Sequence, residues 1–198
     1  HDDNGEIVHE SRHLGASLDA GRRALSTLDR FRNSLQLAVE AVGFNRWLVR
    51  DAKRMGLTVI VAETSRLALK ASRVKTDRRD AYELARRLRL GDLERSARTY
   101  FPTETEYGER KLLRTRHELV NVRTTLVNQI RAVFAAYRIE TPKSPLYSKR
   151  SLEALSRCEL PGELLNECVR SLLQPLKAVQ AEIQRLDKRI QQEGEGRA

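Results

Sequence analysis

Alternating strands and helices are the pattern that hydrophobic residues predict for the first hundred positions. Two short apolar runs, Leu35 to Val39 and Leu57 to Ala62, are rich in residues that favour buried strands. Between them, Phe44 to Met55 has the spacing of an amphipathic helix, and Gly56 is a typical helix stop. A strand, a helix and a strand with short links predict a βαβ unit whose two strands are parallel.

Upstream of this unit, the pattern predicts a hairpin turn and one more helix. Asn4-Gly5 is a strong hairpin signal, and Glu6 to Arg12 is the strand expected after it. The strand before the turn would lie ahead of the sequence, so we expect the first strand of this domain to be missing. Ser17 to Asn33 carries its apolar residues on one helical face.

From Asp77 onward the spacing predicts almost only helix. A first helix extends to about Leu90, and Tyr100 to Pro102 interrupts the pattern. Thr103 and Glu106 then have the capping-box spacing at the start of a helix that ends near position 137. Its apolar residues repeat every seven positions in two adjacent stripes: Leu112, Leu119, Leu126 and Val133, and Leu113, Val120, Val127 and Phe134.

The last sixty residues predict a loop over Thr141 to Ser148, a short helix over Leu152 to Cys158, and a long final helix. Pro161 suits the first position of that helix, whereas Pro175 should kink it or mark a join between two helices. Apolar residues spaced alternately by four and three predict a coiled-coil seam. The seam residues are Leu165, Val169, Leu172, Leu176, Val179, Ile183, Leu186 and Ile190.

These patterns predict two domains: an α/β domain over residues 1–100 and a helical coiled-coil arm over residues 101–198. We expect the helix after Thr103 to pack antiparallel to the later helices. Because the final seam is longer than one internal partner needs, we also expect a homo-oligomer formed through the coiled coil.

The net charge of the chain favours a polyanionic binding partner. The chain has 37 Lys and Arg against 27 Asp and Glu, which gives a net charge of +10. Nucleic acid and an acidic membrane surface would both fit, but aromatic residues are only 5%, which disfavours base stacking as the main binding mode. No run approaches the roughly 20 apolar residues of a membrane span. Two cysteines without zinc spacing favour reduced thiols in a cytoplasmic protein.

Three acidic residues have positions suited to chemistry. Glu40 follows the first apolar strand, and ligands of open α/β sheets gather at the carboxyl ends of strands. Asp77 and Asp80 lie three apart at a helix start, so they share a face. Such acids hold Mg²⁺ or Mn²⁺, and two ions can assist phosphodiester cleavage. The simpler alternatives are a helix-capping Asp pair and a solvated Glu.

Basic residues surround the Asp pair. Arg and Lys side chains commonly position phosphates, so these cations are candidates for nucleic-acid binding, the alternative being a solvated helix face. The candidates are Arg73, Lys75, Arg78, Arg79, Arg86 and Arg87.

At this point the sequence resembles a known family. Lys75 to Ala81 (KTDRRDA), followed by Leu84, Ala85 and Leu88, is similar to the signature of insertion-sequence transposases with a RuvC-like DEDD domain, the IS110 type related to the Piv invertases. Ala38 to Ala41 (AVEA) with Gly43 resembles the strand of that family that carries its Glu. The helices from about residue 101 resemble the family's arm, so the resemblance covers nearly the whole chain.

The resemblance implies an RNase H-like (RuvC-like) fold in which Glu40, Asp77 and Asp80 are the second, third and fourth acids of a catalytic, metal-binding tetrad. It places the first acid on a strand that this chain lacks, and a catalytic serine in a C-terminal domain beyond the arm. On that basis we expect the chain to be inactive alone. The resemblance further implies Mg²⁺ or Mn²⁺ as cofactor, DNA as substrate and a structured guide RNA as partner.

Three functions therefore compete. The first is a DNA transposase or recombinase that cleaves and transfers strands with the help of metal ions. The second is a non-catalytic, basic coiled-coil module that binds nucleic acid. The third, an inactive relative of the Holliday-junction resolvases, shares the fold of the first. Metal binding that depends on Asp77 and Asp80 would separate the first from the second.

Overall fold

The computed structural model describes residues 4–7, 23, 26–27, 29, 35–42, 45–67 and 77–195. The chain forms two compact units, His1–Phe101 and Pro102–Ala198. Each unit has its own hydrophobic clusters.

A parallel pair of strands organises the first unit. Strand β1 (Gln36–Glu40) lies beside β2 (Thr58–Ala62), and helix α1 (Arg46–Arg54) connects them. This confirms the predicted βαβ unit. The helix ends where the sequence predicts, because Gly56 adopts a φ of +82° that a glycine takes without strain, and its N–H donates to the carbonyl of Lys53 at 3.0 Å.

The small sheet has two faces, each covered by a different helix. On one face, Val39 and Val61 pack with Val49 of α1. On the other, Ile60 and Ala62 pack with Leu84. Leu84 belongs to α2 (Asp77–Arg89), which confirms the helix expected from Asp77 to about position 90. The two faces follow from the strand geometry, since successive side chains of a strand point to opposite sides.

A second contact along β2 was not predicted. Ala62 forms an antiparallel bridge with Arg98, where the N–H of Thr99 donates to the carbonyl of Val61 at 2.8 Å. This segment follows α3 (Asp92–Ser96), a short helix after α2. A single bridge residue produces no run of alternating apolar positions, so the hydrophobic pattern could not reveal it.

The start of the chain agrees only in part with the prediction. Asn4 lies in a turn and Gly5 has a φ of +92°, as a hairpin turn would require. Glu6 and Ile7 are not in a strand, so this part of the strand predicted over Glu6 to Arg12 is wrong, and positions 8–12 lie outside the described residues. Within the helix predicted over 17–33, the described positions 23, 26, 27 and 29 are helical.

Two helices of 33 residues each, α4 (Glu104–Ala136) and α6 (Glu163–Glu195), dominate the second unit. Arg116 donates to Asp187 at 2.7 Å, and Arg123 donates to Gln180 at 3.0 Å. From the first contact to the second, the position on α4 rises by seven residues while the position on α6 falls by seven. The two helices are therefore antiparallel, as expected. The capping box that begins α4 is also confirmed, with both reciprocal bonds between Thr103 and Glu106.

The seam predicted on α6 is covered from within the chain. All eight seam residues are buried or half-buried, and those with the least exposure include Leu176 and Ile183. A third helix, α5 (Lys149–Arg157), adds Leu152 and Leu155 to the core formed with α4 and α6. Because α4 already packs along the seam, the seam gives no support to a homo-oligomer formed through it.

Three boundaries in the second unit differ from the sequence prediction. Helix α6 begins at Glu163 and not at Pro161, because Gly162 has a left-handed φ of +102° that the helix cannot include. The helix also continues through Pro175, so of the two expected outcomes, a kink or a join between two helices, the join is wrong. Apolar residues packed on both sides of this proline hold the helix together despite the lost hydrogen bond. Helix α5 starts three residues early, because Ser148 caps it.

None of the described helices combines the length and the apolar character needed to cross a membrane.

We predict that the α4–α6 core, and not helix propensity, stabilises the second unit. Leu176→Ala should lower the free energy of unfolding by about 2–5 kcal/mol, because Leu176 has no exposed surface. The matched control is Leu164→Ala in the same helix, where the side chain is 82% exposed. It should change stability by less than about 0.5 kcal/mol. Urea denaturation followed by circular dichroism measures both, and equal effects would contradict the assignment of this core.

Candidate functional site

Glu40 is held in place by the end of the sheet. It is the last residue of β1 and lies opposite Ala62 in the parallel register. Just beyond it, the N–H of Ala41 donates to the carbonyl of Ala62 at 2.8 Å. The side-chain amide of Asn45 donates to the carbonyl of Glu40 at 3.3 Å. The backbone that carries this carboxylate is therefore fixed on both sides.

The Glu40 side chain accepts a hydrogen bond from the turn after β2. The Thr64 hydroxyl Oγ1 donates to Glu40 Oε1 at 2.6 Å, and the pair is partly buried. Thr64 begins a short 3₁₀ turn (Thr64–Leu67) that follows β2. An ionised carboxylate accepts several hydrogen bonds or metal bonds. The hydroxyl therefore orients the carboxylate and leaves it the capacity to bind a further ligand.

Glu40 lies on the α2 side of the sheet. It follows Ala38 by two positions, and Ala38 packs against the cluster that contains Leu84 of α2. Residues two apart in a strand share a face. Glu40 therefore extends from the face that α2 covers.

The two aspartates lie at the start of α2. Asp77 is its first residue, although the Asp77 side chain is outside the described part of the chain. Asp80 is half-buried and precedes the buried Leu84 by four residues, so both share one helix face. The structure thus places Glu40 and Asp80 on the same side of the sheet. Among residues with described side chains, no three His, Cys, Asp or Glu are grouped closely enough to hold a metal ion.

The basic candidates differ in their surroundings. Arg73 and Lys75 lie outside the described residues, while Arg78 and Arg79 are exposed on the first turn of α2. Arg87 is bound by two carboxylates, with Nε 2.7 Å from Glu83 and an amino group 3.0 Å from Asp92. It therefore ties α2 to α3.

Arg86 also donates to Glu83, with Nε 3.0 Å from Oε2. The hydrogen bonds from Arg86 and Arg87 lower the pKa of Glu83 to about 2. One carboxylate therefore offsets part of the positive charge of these candidate phosphate-binding residues. Of the four candidates with described side chains, Arg78, Arg79 and Arg86 are exposed and Arg87 is half-buried.

Comparison with known proteins identifies the class. The sequence model of a family described as transposase, the IS110-type DEDD transposases, matches residues 1–139. This span is well over half of the chain and includes all three candidate acids. The protein is thus of the class that moves DNA segments, with DNA as its partner. In particular, the chain belongs to the IS110-type DEDD transposase family. A search of curated proteins gave no significant match.

Sequence reasoning missed Thr64. Its hydroxyl is a candidate only once the parallel register places the end of β1 beside the end of β2, and local spacing does not contain that information. The role of Glu83 was also missed, although it could have been found. It precedes Arg86 and Arg87 by three and four positions, the spacing at which helical ion pairs form.

We predict that the Glu83 ion pairs stabilise the first unit in a pH-dependent way. Because the pKa of Glu83 is lowered in the folded state, its contribution is present above the ordinary pKa near 4.5 and is lost as the pH falls towards 2. Glu83→Gln should cost about 1 kcal/mol at neutral pH, a value reduced by solvent screening. This deficit should shrink on acidification. Urea titrations between neutral and acid pH measure it.

The control for this measurement is Glu94→Gln. Glu94 contacts Arg98 at 3.8 Å, and both side chains are more than half exposed. Its substitution should change stability little at any pH. A Glu83→Gln deficit that stayed constant from neutral to acid pH would contradict the assigned pKa shift.

Proposed function

We propose that this chain provides a RuvC-like catalytic site for metal-dependent DNA strand cleavage and strand transfer during transposition of an insertion sequence. Glu40, Asp77 and Asp80 are the proposed metal ligands in an RNase H-like domain. The observation that carries the proposal is the placement of Glu40, at the carboxyl end of β1, on the sheet face that α2 covers with Asp80. Membership of a DEDD transposase family supports it.

The donor chemistry of this set fits Mg²⁺ or Mn²⁺. Carboxylate oxygens are hard ligands, and no sulfur or imidazole belongs to the set. When bound, such ions activate the attacking oxygen and stabilise the leaving oxygen of a phosphodiester. The residues of the chain supply binding and orientation: Glu40 from the rigid end of the sheet and the two aspartates from the first turn of α2.

Thr64 is a positioning residue in this proposal. Its hydroxyl fixes one oxygen of Glu40 at 2.6 Å, so the carboxylate has a set direction before a metal ion arrives. Partners that orient a metal ligand commonly affect metal affinity strongly, even though they never touch the ion. Thr64 therefore contributes through Glu40.

The remaining partners rest on different grounds. The proposed phosphate contacts beside the acids are Arg73, Lys75, Arg78, Arg79, Arg86 and Arg87. Arg86 and Arg87 would contact DNA in competition with Glu83. A structured guide RNA rests on the family resemblance alone. A homo-oligomer requires a surface other than the α6 seam. The free cysteines fit the proposed cytoplasmic location.

We predict that the carboxylates of Glu40 and Asp80 contribute to one metal site. Glu40→Gln and Asp80→Asn should each weaken Mn²⁺ binding by at least about tenfold, since removing a ligand costs no less than removing its orienting partner. Electron paramagnetic resonance titration of free Mn²⁺ against the whole chain measures this, and Mg²⁺ competition tests the second ion.

Glu94→Gln is the charge-matched control for the metal titration, because Glu94 is exposed on α3 and is paired with Arg98. It should leave Mn²⁺ affinity unchanged. If both acid variants bind Mn²⁺ as the unaltered chain does, the proposed site is wrong. A non-catalytic nucleic-acid-binding module would then be the better account of the charge.

We predict that Thr64 acts on metal binding through its hydroxyl. Thr64→Val keeps the branched shape and removes the donor, so Mn²⁺ affinity should fall by about tenfold. Thr64→Ser keeps the hydroxyl and should restore most of the affinity. If Glu40→Gln weakens binding but Thr64→Val does not, Glu40 is a ligand and Thr64 is no more than a structural residue of the turn.

A further inference from the structure

An open groove of about 540 Å³ lies between α5 and α6 in the second unit. Basic side chains enter it from both helices: Lys149 and Arg157 from α5, and Lys177 from α6. Tyr147, from the loop before α5, also lines it. The acid site described above is in the first unit and shares none of these residues.

The groove cations differ in ion pairing from the arginines of α6, all three of which have a carboxylate partner. Four arginines on α4 and α6 each lie within 4 Å of a carboxylate: Arg116, Arg170, Arg185 and Arg189. Within the described part of the chain, Lys149, Arg157 and Lys177 have no such ion pair. The lining contains one carboxylate, that of Glu153. The groove therefore keeps an excess of positive charge, whereas the flanking helix surfaces are partly neutralised.

The groove also presents mainly hydrogen-bond donors, and Arg123 holds two of its lining residues in place. Lysine and arginine donate and never accept. The side-chain carbonyl of Gln180 accepts from Arg123 at 3.0 Å, which leaves its amide group as a further donor. The same guanidinium lies 4.0 Å from the centre of the Tyr147 ring. Arg123 thus fixes two lining residues, and the groove suits an anionic ligand rich in acceptors.

We propose that this groove binds the sugar–phosphate backbone of duplex DNA. Lys149 and Arg157 are separated by eight residues of helix, roughly 12 Å along the axis at the usual rise. One DNA strand rises by about that distance over three to four nucleotides. Cations spread over this length match a row of phosphates better than one small anion. Family membership supplies DNA as the partner.

The test measures binding of the whole chain to duplex DNA by fluorescence anisotropy at several salt concentrations. A chelator is present throughout, so the outcome does not depend on the acid site. Lys149→Gln combined with Lys177→Gln should flatten the slope of log affinity against log salt by up to about 1.8 units, at about 0.9 for each phosphate contact. Glu153→Gln should tighten binding, because it removes the carboxylate that Glu153 contributes to the lining.

The control is Arg170→Gln combined with Arg189→Gln, which removes the same charge from exposed, ion-paired positions on α6. It should change the slope far less. Equal changes in the two double variants would overturn the proposal in favour of a general charge effect. An unchanged slope in the lysine variant would make the groove a solvated surface. If the lysine variant lost affinity for structured RNA but not for duplex DNA, the assignment to DNA would be wrong.

Discussion

The parallel pairing of β1 with β2 is the constraint on which the candidate site depends. It sets Glu40 opposite Ala62, and it brings the turn after β2 close enough for Thr64 to bind the Glu40 carboxylate. It also decides which face of the sheet Glu40 occupies, since a register shifted by one residue would send every side chain to the other face. The apolar cluster around Leu84 fixes α2 on that same face. The chemistry proposed for this unit therefore rests on backbone hydrogen bonds and apolar packing.

The second unit obeys a different constraint, the antiparallel packing of α4 along α6. That packing buries the apolar seam of α6 within the chain. Apolar residues on both sides of Pro175 take part in it, and α6 continues through this proline. Because the apolar seam is covered, the charged side chains that could contact a partner lie on the outer surface of this unit. There, most arginines of α6 face carboxylates three or four residues away, while the cations around the α5–α6 groove do not. The packing thus determines which charges remain accessible to a partner.

The features that the sequence predicts correctly are those that depend on the spacing of nearby residues. The βαβ unit, the end of α1 at Gly56 and the capping box at Thr103 all follow from patterns within a few residues, and the structure confirms them. Long-range register controls the rest. The Thr64 contact and the bridge between Ala62 and Arg98 join segments whose relative position no local pattern encodes. At Pro175 the join between two helices, one of the two expected outcomes, is absent because tertiary packing outweighs a local preference.

Separate locations for the proposed acid site and the proposed phosphate contacts would reduce an electrostatic problem of DNA cleavage. Carboxylates that will hold metal ions repel phosphates until those ions arrive, and the repulsion is large where water is partly excluded. Phosphate binding by residues outside the acid site removes this difficulty, because counterion release favours association whether or not metal is bound. A cation close to the acid site is not for that reason a good phosphate ligand. Arg86 and Arg87 are examples, since Glu83 already neutralises part of their charge. Cations without a carboxylate partner, such as those of the groove, retain the full gain from meeting a phosphate. The proposed DNA contact therefore rests on where cations and their ion pairs lie as well as on the net charge of +10.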